Sequence, residues 1–328
     1  MSALNPSSTV ACVEFPNGKR YRDLRSFYQE TFGERVQKIS IDYGFTCPNR
    51  DGSKAKEGCT YCNNATFKPF YTTPEKTITE QLTEGVTFFS KKYKAIKFLA
   101  YFQSYTNTYS DVEHLRKLYE EALKVPGVIG LVVGTRPDCI SEEIAEMFVE
   151  INKTHFVSIE LGIESTLNRT LEAINRCQTY EETIAAFELC ASKGLHVGGH
   201  MILGLPGESR EDLLDHARKI SKLPIQSLKL HHLQIVKHTR MAIQWKQTPE
   251  MFDLFTADDY INLLGDFIGL IRPDIVIDRF INESPPDKLL APKWDSLKNY
   301  EVLAKVEKLL EEKNLWQGKL CEPTNTLV

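Results

Sequence analysis

The sequence predicts an α/β fold in which parallel strands, each followed by an outer helix, curl into an open (β/α)6 barrel of the TIM type. Three observations predict it. Short apolar runs alternate with longer amphipathic segments along most of the chain. The amphipathic segments open on helix-capping residues, and turn-forming Gly, Pro, Asn and Asp fall between the units. No low-complexity linker interrupts the series. Strand-then-helix alternation makes βαβ units, and those units build a parallel sheet.

Residues 36–41 have strand character. A helix is expected from the Thr73-Pro74 pair to about residue 92, with Pro near its first turn. The apolar run 96–102 is the second strand. Ser110 with Glu113 predicts a capping box for a helix to 124. Strand 128–135 follows, then a helix to 152 capped by Ser141. Strand 156–163 precedes a helix to 193, capped by Thr179 with Glu182 and ended by Gly194. Strand 197–203, helix 209–223 and strand 227–236 complete six units. A helix at 257–271 and a strand-like run at 275–281 come after them. The expected division is an N-terminal cap at 1–35, a barrel at 36–285 and a helical extension at 286–328.

Composition narrows the function classes. The chain of 328 residues is 42% hydrophobic and 26% charged, as soluble globular proteins are. No run approaches the ~20 apolar residues of a membrane span. The first 16 residues lack a basic region followed by an apolar core, so no signal peptide is expected and the cytoplasm is the expected compartment. The net charge of −4 is not the overall signature of a nucleic-acid binder. Local basic clusters exist at Lys91, Lys92, Lys94 and Lys97, and at Lys229, Lys237 and Arg240 with His231, His232 and His238. Each reads by default as a solvated face.

Three of the eight cysteines carry chemistry. Cys47, Cys59 and Cys62 lie in one loop after the first strand, with eleven residues in the first gap and two in the second. No fourth Cys and no His lies within that stretch. A structural zinc site and an ordinary iron–sulfur cluster each want four protein ligands. Three thiolates can hold a cubane cluster and leave one iron open. A zinc knuckle with a distant fourth ligand stays open on the loop alone. The other five, Cys12, Cys139, Cys177, Cys190 and Cys321, have no paired spacing and are expected to be free thiols.

The triad, with an aromatic residue (Tyr61) just before the last Cys, resembles the cluster loop of the radical S-adenosylmethionine (SAM) enzymes. The resemblance implies a [4Fe–4S] cluster on Cys47, Cys59 and Cys62, with SAM chelating the open iron and yielding a 5′-deoxyadenosyl radical. Most of that superfamily has three residues in the first gap; the wider gap is similar to the Elongator catalytic subunit. FTCPNRDG at 45–52, GCTYCNN at 58–64 and YFQSYTNTY at 101–109 resemble the YhcC-type group of that branch, as do Ala291-Pro292-Lys293-Trp294 and Trp316-Gln317-Gly318.

In a barrel of this kind, chemistry sits at the C-terminal ends of the strands. The resemblance places Tyr61 near the adenine of SAM, Gln103 and Ser104 near its ammonium, and Glu164 at its ribose. Glu160 shares a strand face with Glu164. Two buried acids on one face need neutralisation, which favours a site over plain core. Arg136, in Thr-Arg-Pro-Asp, can grip a carboxylate at two points or serve a structural ion pair. The run HVGGHMILGLPGE at 196–208 resembles the segment that lies along the adenine, and His200 is a candidate there. No residue is assigned to the substrate step. The implied substrate is tRNA, at C5 of the wobble uridine, with flavodoxin or ferredoxin as the class of reductant. The alternatives are a small molecule such as a porphyrin precursor, or a non-catalytic haem or cluster carrier. An acetyltransferase domain like that of the Elongator subunit is not expected.

Overall fold

The structure is a computed structural model that describes residues 13–66, 68–93, 97–294 and 297–321. Cys12, Lys94 and Ile96 lie outside these. Seven parallel strands form one sheet in chain order: β1 (Val36–Ile41), β2 (Lys97–Phe102), β3 (Val128–Thr135), β4 (Phe156–Glu164), β5 (His196–Leu203), β6 (Ser227–His232) and, at the far edge, β8 (Val276–Arg279). The strand-like run expected at 275–281 is therefore part of the barrel. The sixth strand is shorter than expected. It stops at His232, and Ile235–Val236 is a separate strand, β7, antiparallel to β9 (Leu289–Ala291). Gln234 makes the break by turning its side chain onto His232 and the Asn282 carbonyl.

The sheet curls until its edges approach. Lys38 on β1 pairs with Asp278 on β8, although five strands separate those two in the sheet order. Both strand faces are buried, which explains the near-continuous apolar runs. The outer face packs under helices such as α2 (Ile78–Tyr93), α3 (Val112–Leu123), α4 (Glu142–Asn152) and α6 (Tyr180–Ser192). Inside lies a second, smaller core of Tyr28, Val36, Leu99, Tyr101 and Val132. Helix α1 (Leu24–Phe32) stops the N-terminal mouth. Its Phe27 and Phe32 meet His196 and Phe156, the first residues of β5 and β4.

Caps decide where the helices begin. Thr179 with Glu182 and Ser209 with Asp212 form reciprocal boxes, and Ser141 accepts from the Ile144 amide. Two starts differ from expectation. Asp111, not Ser110, caps α3 by accepting from the His114 amide. Helix α2 starts at Ile78 because Thr77 and Glu80 satisfy each other's amides there, leaving Pro74 in the preceding turn. A shorter helix, α5 (Asn168–Ala173), follows β4.

The edge strand β8 is covered rather than open. The Ile277 amide donates to the Arg22 carbonyl. Buried Gln317 joins both ends of the chain there: it accepts from the Arg22 amide and donates to the carbonyls of Arg272 and Ile275. Among the described residues no helix is long and apolar enough to cross a membrane.

Candidate active site

A cavity of about 210 Å3 opens at the C-terminal ends of the strands, and Cys47, Cys59 and Cys62 all border it. The loop that carries them runs from β1 to α2. Gln81 of α2 pins its two ends, accepting from the Asp42 amide and donating to the carbonyls of Asp42 and Thr73. Turns shape the interior: the amides of Arg50 and Asp51 both donate to the Cys47 carbonyl, and that of Cys62 to the Cys59 carbonyl. Gly58 has φ +73°, and an added Cβ would meet Arg50 Nε at 2.9 Å, so the loop needs glycine there.

Polar hydrogens point at the sulfurs. Asn49 Nδ2 lies 3.4 Å from Cys59 Sγ, Arg176 Nη1 3.8 Å from the same atom, and Asn64 Nδ2 3.7 Å from Cys62 Sγ. Burial pushes the Cys62 thiol up to about 11, and Cys59 raises it further against the pull of Arg50. A metal must therefore displace that proton to bind. Among the described residues no three Cys, His, Asp or Glu side chains converge as a single bound ion would need. The three thiols instead border one shared space, with two arginines and two amides beside them. Donors and positive charge around three sulfurs fit a [4Fe–4S] group, whose thiolates are anionic.

Arg176 is the centre of this wall, and the sequence did not single it out. It sits in a tight turn between Asn175 (φ 55°) and Cys177 (φ 50°). Its guanidinium reaches Cys59, the Gly162 carbonyl at 2.9 Å and the Glu164 carboxylate at 3.6 Å. Glu164 ends β4 at a break in register and is itself left-handed, with φ 62°. An added Cβ on Gly162 would meet Glu164 Oε1 at 2.5 Å and Arg176 Nη2 at 2.7 Å. Glycine is required there to let that pair form. Arg136 grips Asp138 through two bonds of 2.8 and 2.9 Å, so its two-point partner is internal. It also donates to the Arg176 carbonyl.

Glu160 lies at the floor of the cavity with both oxygens taken. Lys38 holds Oε1 at 2.8 Å. Tyr101 donates to Oε2 at 2.7 Å, Lys229 holds it at 2.8 Å, and His200 Nε2 meets it at 2.7 Å. Asp278 completes the network against the same two lysines. Burial raises both acids, but Lys229 and Lys38 outweigh it and hold them below the usual carboxylate range. Two acids facing two lysines make a balanced buried cluster.

The other expected residues divide. Tyr61, Gln103, Glu164 and His200 border the cavity with the cysteines. Ser104 is buried beside Gln103 and is not among the bordering residues. The glycines of β5 make room for the protein's own side chains: an added Cβ at Gly198 would strike Ser227 Oγ at 2.5 Å, and at Gly199 Ile163 at 2.7 Å. Gly204 and Gly207, by contrast, do supply positive φ after the strand.

Part of the cavity lining is polar and uncharged: His231, His232, Gln234, Asn282 and Ser284. Here the solvated-face reading of the second basic cluster fails. Lys229 is buried on Glu160, and burial drives His231 well below its usual value and His232 down to about 3. His232 stacks on Trp294 with ring centres 4.1 Å apart. Strand alternation puts Lys229 and His231 together on the inward face, while His232, ending the strand on the other face, packs against Tyr260 and Trp294.

Comparison with known proteins agrees with the geometry. The Radical SAM superfamily model matches residues 47–220, and the Radical_SAM C-terminal domain model matches residues 225–312. YtqA of Bacillus subtilis is 33% identical over 304 residues, 93% of this chain and 94% of that protein. YhcC of Escherichia coli is 31% identical over 293 residues, 89% and 93% of the two. The tRNA uridine(34) acetyltransferase of Methanocaldococcus infernus is 26% identical over 211 residues, 62% of this chain and 38% of that protein. The solved structure of Methanocaldococcus infernus Elp3 shares the fold, with TM-score 0.64 at 18% identity, covering 87% of this chain and 64% of that one. A barrel with three cysteines at its C-terminal rim, matched along nearly its whole length by YhcC and YtqA, belongs to the radical SAM superfamily and to their group within it, and so uses a [4Fe–4S] cluster and SAM.

Proposed function

We propose that this radical SAM enzyme modifies a nucleobase in tRNA, with C5 of the wobble uridine as the target. The observation that carries the reading is the uncharged polar stretch of the lining of the cavity that the cysteines border. Asn282 is 8% exposed, and among the described residues its side-chain amide has no hydrogen-bond partner. A free amide sets an NH2 donor beside a carbonyl acceptor, which matches the edge of an uncharged base. A porphyrin precursor brings several carboxylates and needs free cations. Of the three arginines that border the cavity, Arg136 is paired with Asp138 and Arg176 with Glu164, which leaves Arg50, bonded to the Cys62 carbonyl, as a single cation for several carboxylates. The partial similarity to a tRNA uridine(34) acetyltransferase supports the same substrate class.

When bound, the cluster and SAM supply a carbon-centred radical for hydrogen abstraction. Cys47, Cys59 and Cys62 hold the cluster, and Asn49, Asn64 and Arg176 steady its sulfurs. Glu164 would accept from the ribose hydroxyls, with the Arg176 guanidinium 3.6 Å from its carboxylate. Tyr61 packs beside the adenine, and the Gln103 carbonyl receives the ammonium. Ser104 is buried beside Gln103 and does not border the cavity. Glu160 orients the His200 ring toward the space between cofactor and base. Mass spectrometry of tRNA nucleosides from cells with and without the gene tests the reading. The expected result is loss of one modified wobble uridine; an unchanged nucleoside profile sinks it.

A further inference from the structure

Away from the cavity, one surface joins two features that exposed protein usually keeps apart. Phe70 is 78% exposed and Phe88 on α2 is 38% exposed, and their rings meet edge to face at 5.5 Å. One helical turn beyond Phe88 come Lys91 and Lys92, both exposed. Lys92 Nζ lies over the rings of Phe88 and Tyr93, at 5.6 and 5.0 Å, and Arg35 covers Tyr93 at 4.5 Å. Lys91 has no acidic partner among the described residues. The nearest acid of the patch, Glu84, is held by Lys76 at 2.7 Å, so the free charge here is positive. Thr83, Thr87 and the two rings shape a shallow groove with these lysines.

We propose that Phe70, Phe88, Lys91 and Lys92 form a platform for a single-stranded segment of RNA, beside the entrance to the cysteine cavity. The proposal rests on the RNA reading above and extends it to a surface outside the active site. Exposed rings stack on any unpaired base, and the two adjacent lysines one turn beyond Phe88 neutralise flanking phosphates. The place is also right. Phe70 follows Thr66, a residue of the cavity wall, by four positions, so the chain holds the two within ~14 Å. One strand can lay a base into the cavity and rest its neighbours on the platform. Against an acidic protein of net charge −4, a local cationic and aromatic surface is where a polyanion would settle.

The test is binding of unfractionated tRNA to the cluster-loaded protein, followed across a salt series. Phe70→Ala with Phe88→Ala is expected to weaken binding about tenfold per ring. Lys91→Gln and Lys92→Gln are each expected to lower the slope of log affinity against log salt by about 0.7. SAM cleavage without RNA stays unchanged, since none of these side chains borders the cavity; the lysine variants keep the wild-type melt, and the phenylalanine variants lose only edge contacts to Tyr71 and Phe89. If the wild type binds tRNA and the variants bind as well with the same salt slope, the platform is wrong and the RNA reading survives. If the wild type shows no salt-dependent tRNA binding, both fall. Binding to phosphatidylserine vesicles but not to tRNA overturns the platform in favour of a membrane surface.

Discussion

Glu160 and Glu164 stand four residues apart on one strand, and the fold uses them in opposite ways. Glu160 lies inside the barrel, with four protein partners on its two oxygens. Glu164 sits at the rim beyond a break in register, with one long contact to Arg176. The first acid is fully paired inside the protein, and the second borders the cavity with a single ion pair of 3.6 Å. Residue type is the same; the number of protein partners separates structure from site.

Breaking the rim should abolish chemistry and spare the fold. Cys59→Ala is expected to lower deoxyadenosine formation by at least ~1000-fold, a barrier change of about 4 kcal/mol. Circular dichroism is expected to remain native; normal deoxyadenosine formation would refute the assignment of the cysteine triad. Breaking the floor should do the reverse. Glu160→Leu leaves Asp278 alone to face both Lys38 and Lys229, one buried cation in excess, and is expected to cost about 3–5 kcal/mol in denaturant melts. A loss below 1 kcal/mol would show that the network is not buried as described.

Acid sharpens the same contrast. Burial holds His232 at about 3 in the folded protein, far below the ordinary value of 6.5 that the unfolded chain shows. The unfolded state then binds the proton first, so this contribution is complete above pH 6.5 and shrinks as pH falls. At pH 5 His232 alone accounts for a loss of roughly 2 kcal/mol. His196, held at about 4 by burial, adds in the same direction. Glu160 and Asp278, both depressed, add nothing until pH drops below about 4, the ordinary carboxylate range. A stability curve flat from pH 7 to 5 would contradict the burial of both imidazoles. The smallest effect belongs to Glu164→Gln. It is expected to raise KM for SAM about tenfold, near 1.4 kcal/mol, with melts unchanged. Equal losses of stability from the Glu160 and Glu164 variants would erase the distinction between floor and rim.

Much of the fold was legible because it is local. Short apolar runs between amphipathic segments marked the seven barrel strands, and Ser141, Thr179 and Ser209 marked helix starts. Ser110 misled because Asp111 beside it is an equally good cap, and only the turn geometry chooses between them. At the site, the cysteine triad was legible from spacing and resemblance. Arg176 was not: it comes 114 residues after Cys62 in an undistinguished turn, and nothing local ties it to a sulfur. The His-rich stretch at 229–238 read as a basic surface because charge counts ignore direction. Strand β6 turns Lys229 inward to the acids of β4 and β8.

The sequence by itself determined the strand–helix alternation, the place of the cysteine loop after the first strand, and the family. Those are properties of neighbours along the chain, where periodicity and motif spacing act directly. Only the tertiary structure decided which charges are consumed in the barrel, which guanidinium guards the sulfurs, and which wall remains polar and free. Each depends on side chains brought together across tens to hundreds of residues by the curl of the sheet, and partners at that separation leave no periodic trace in the sequence.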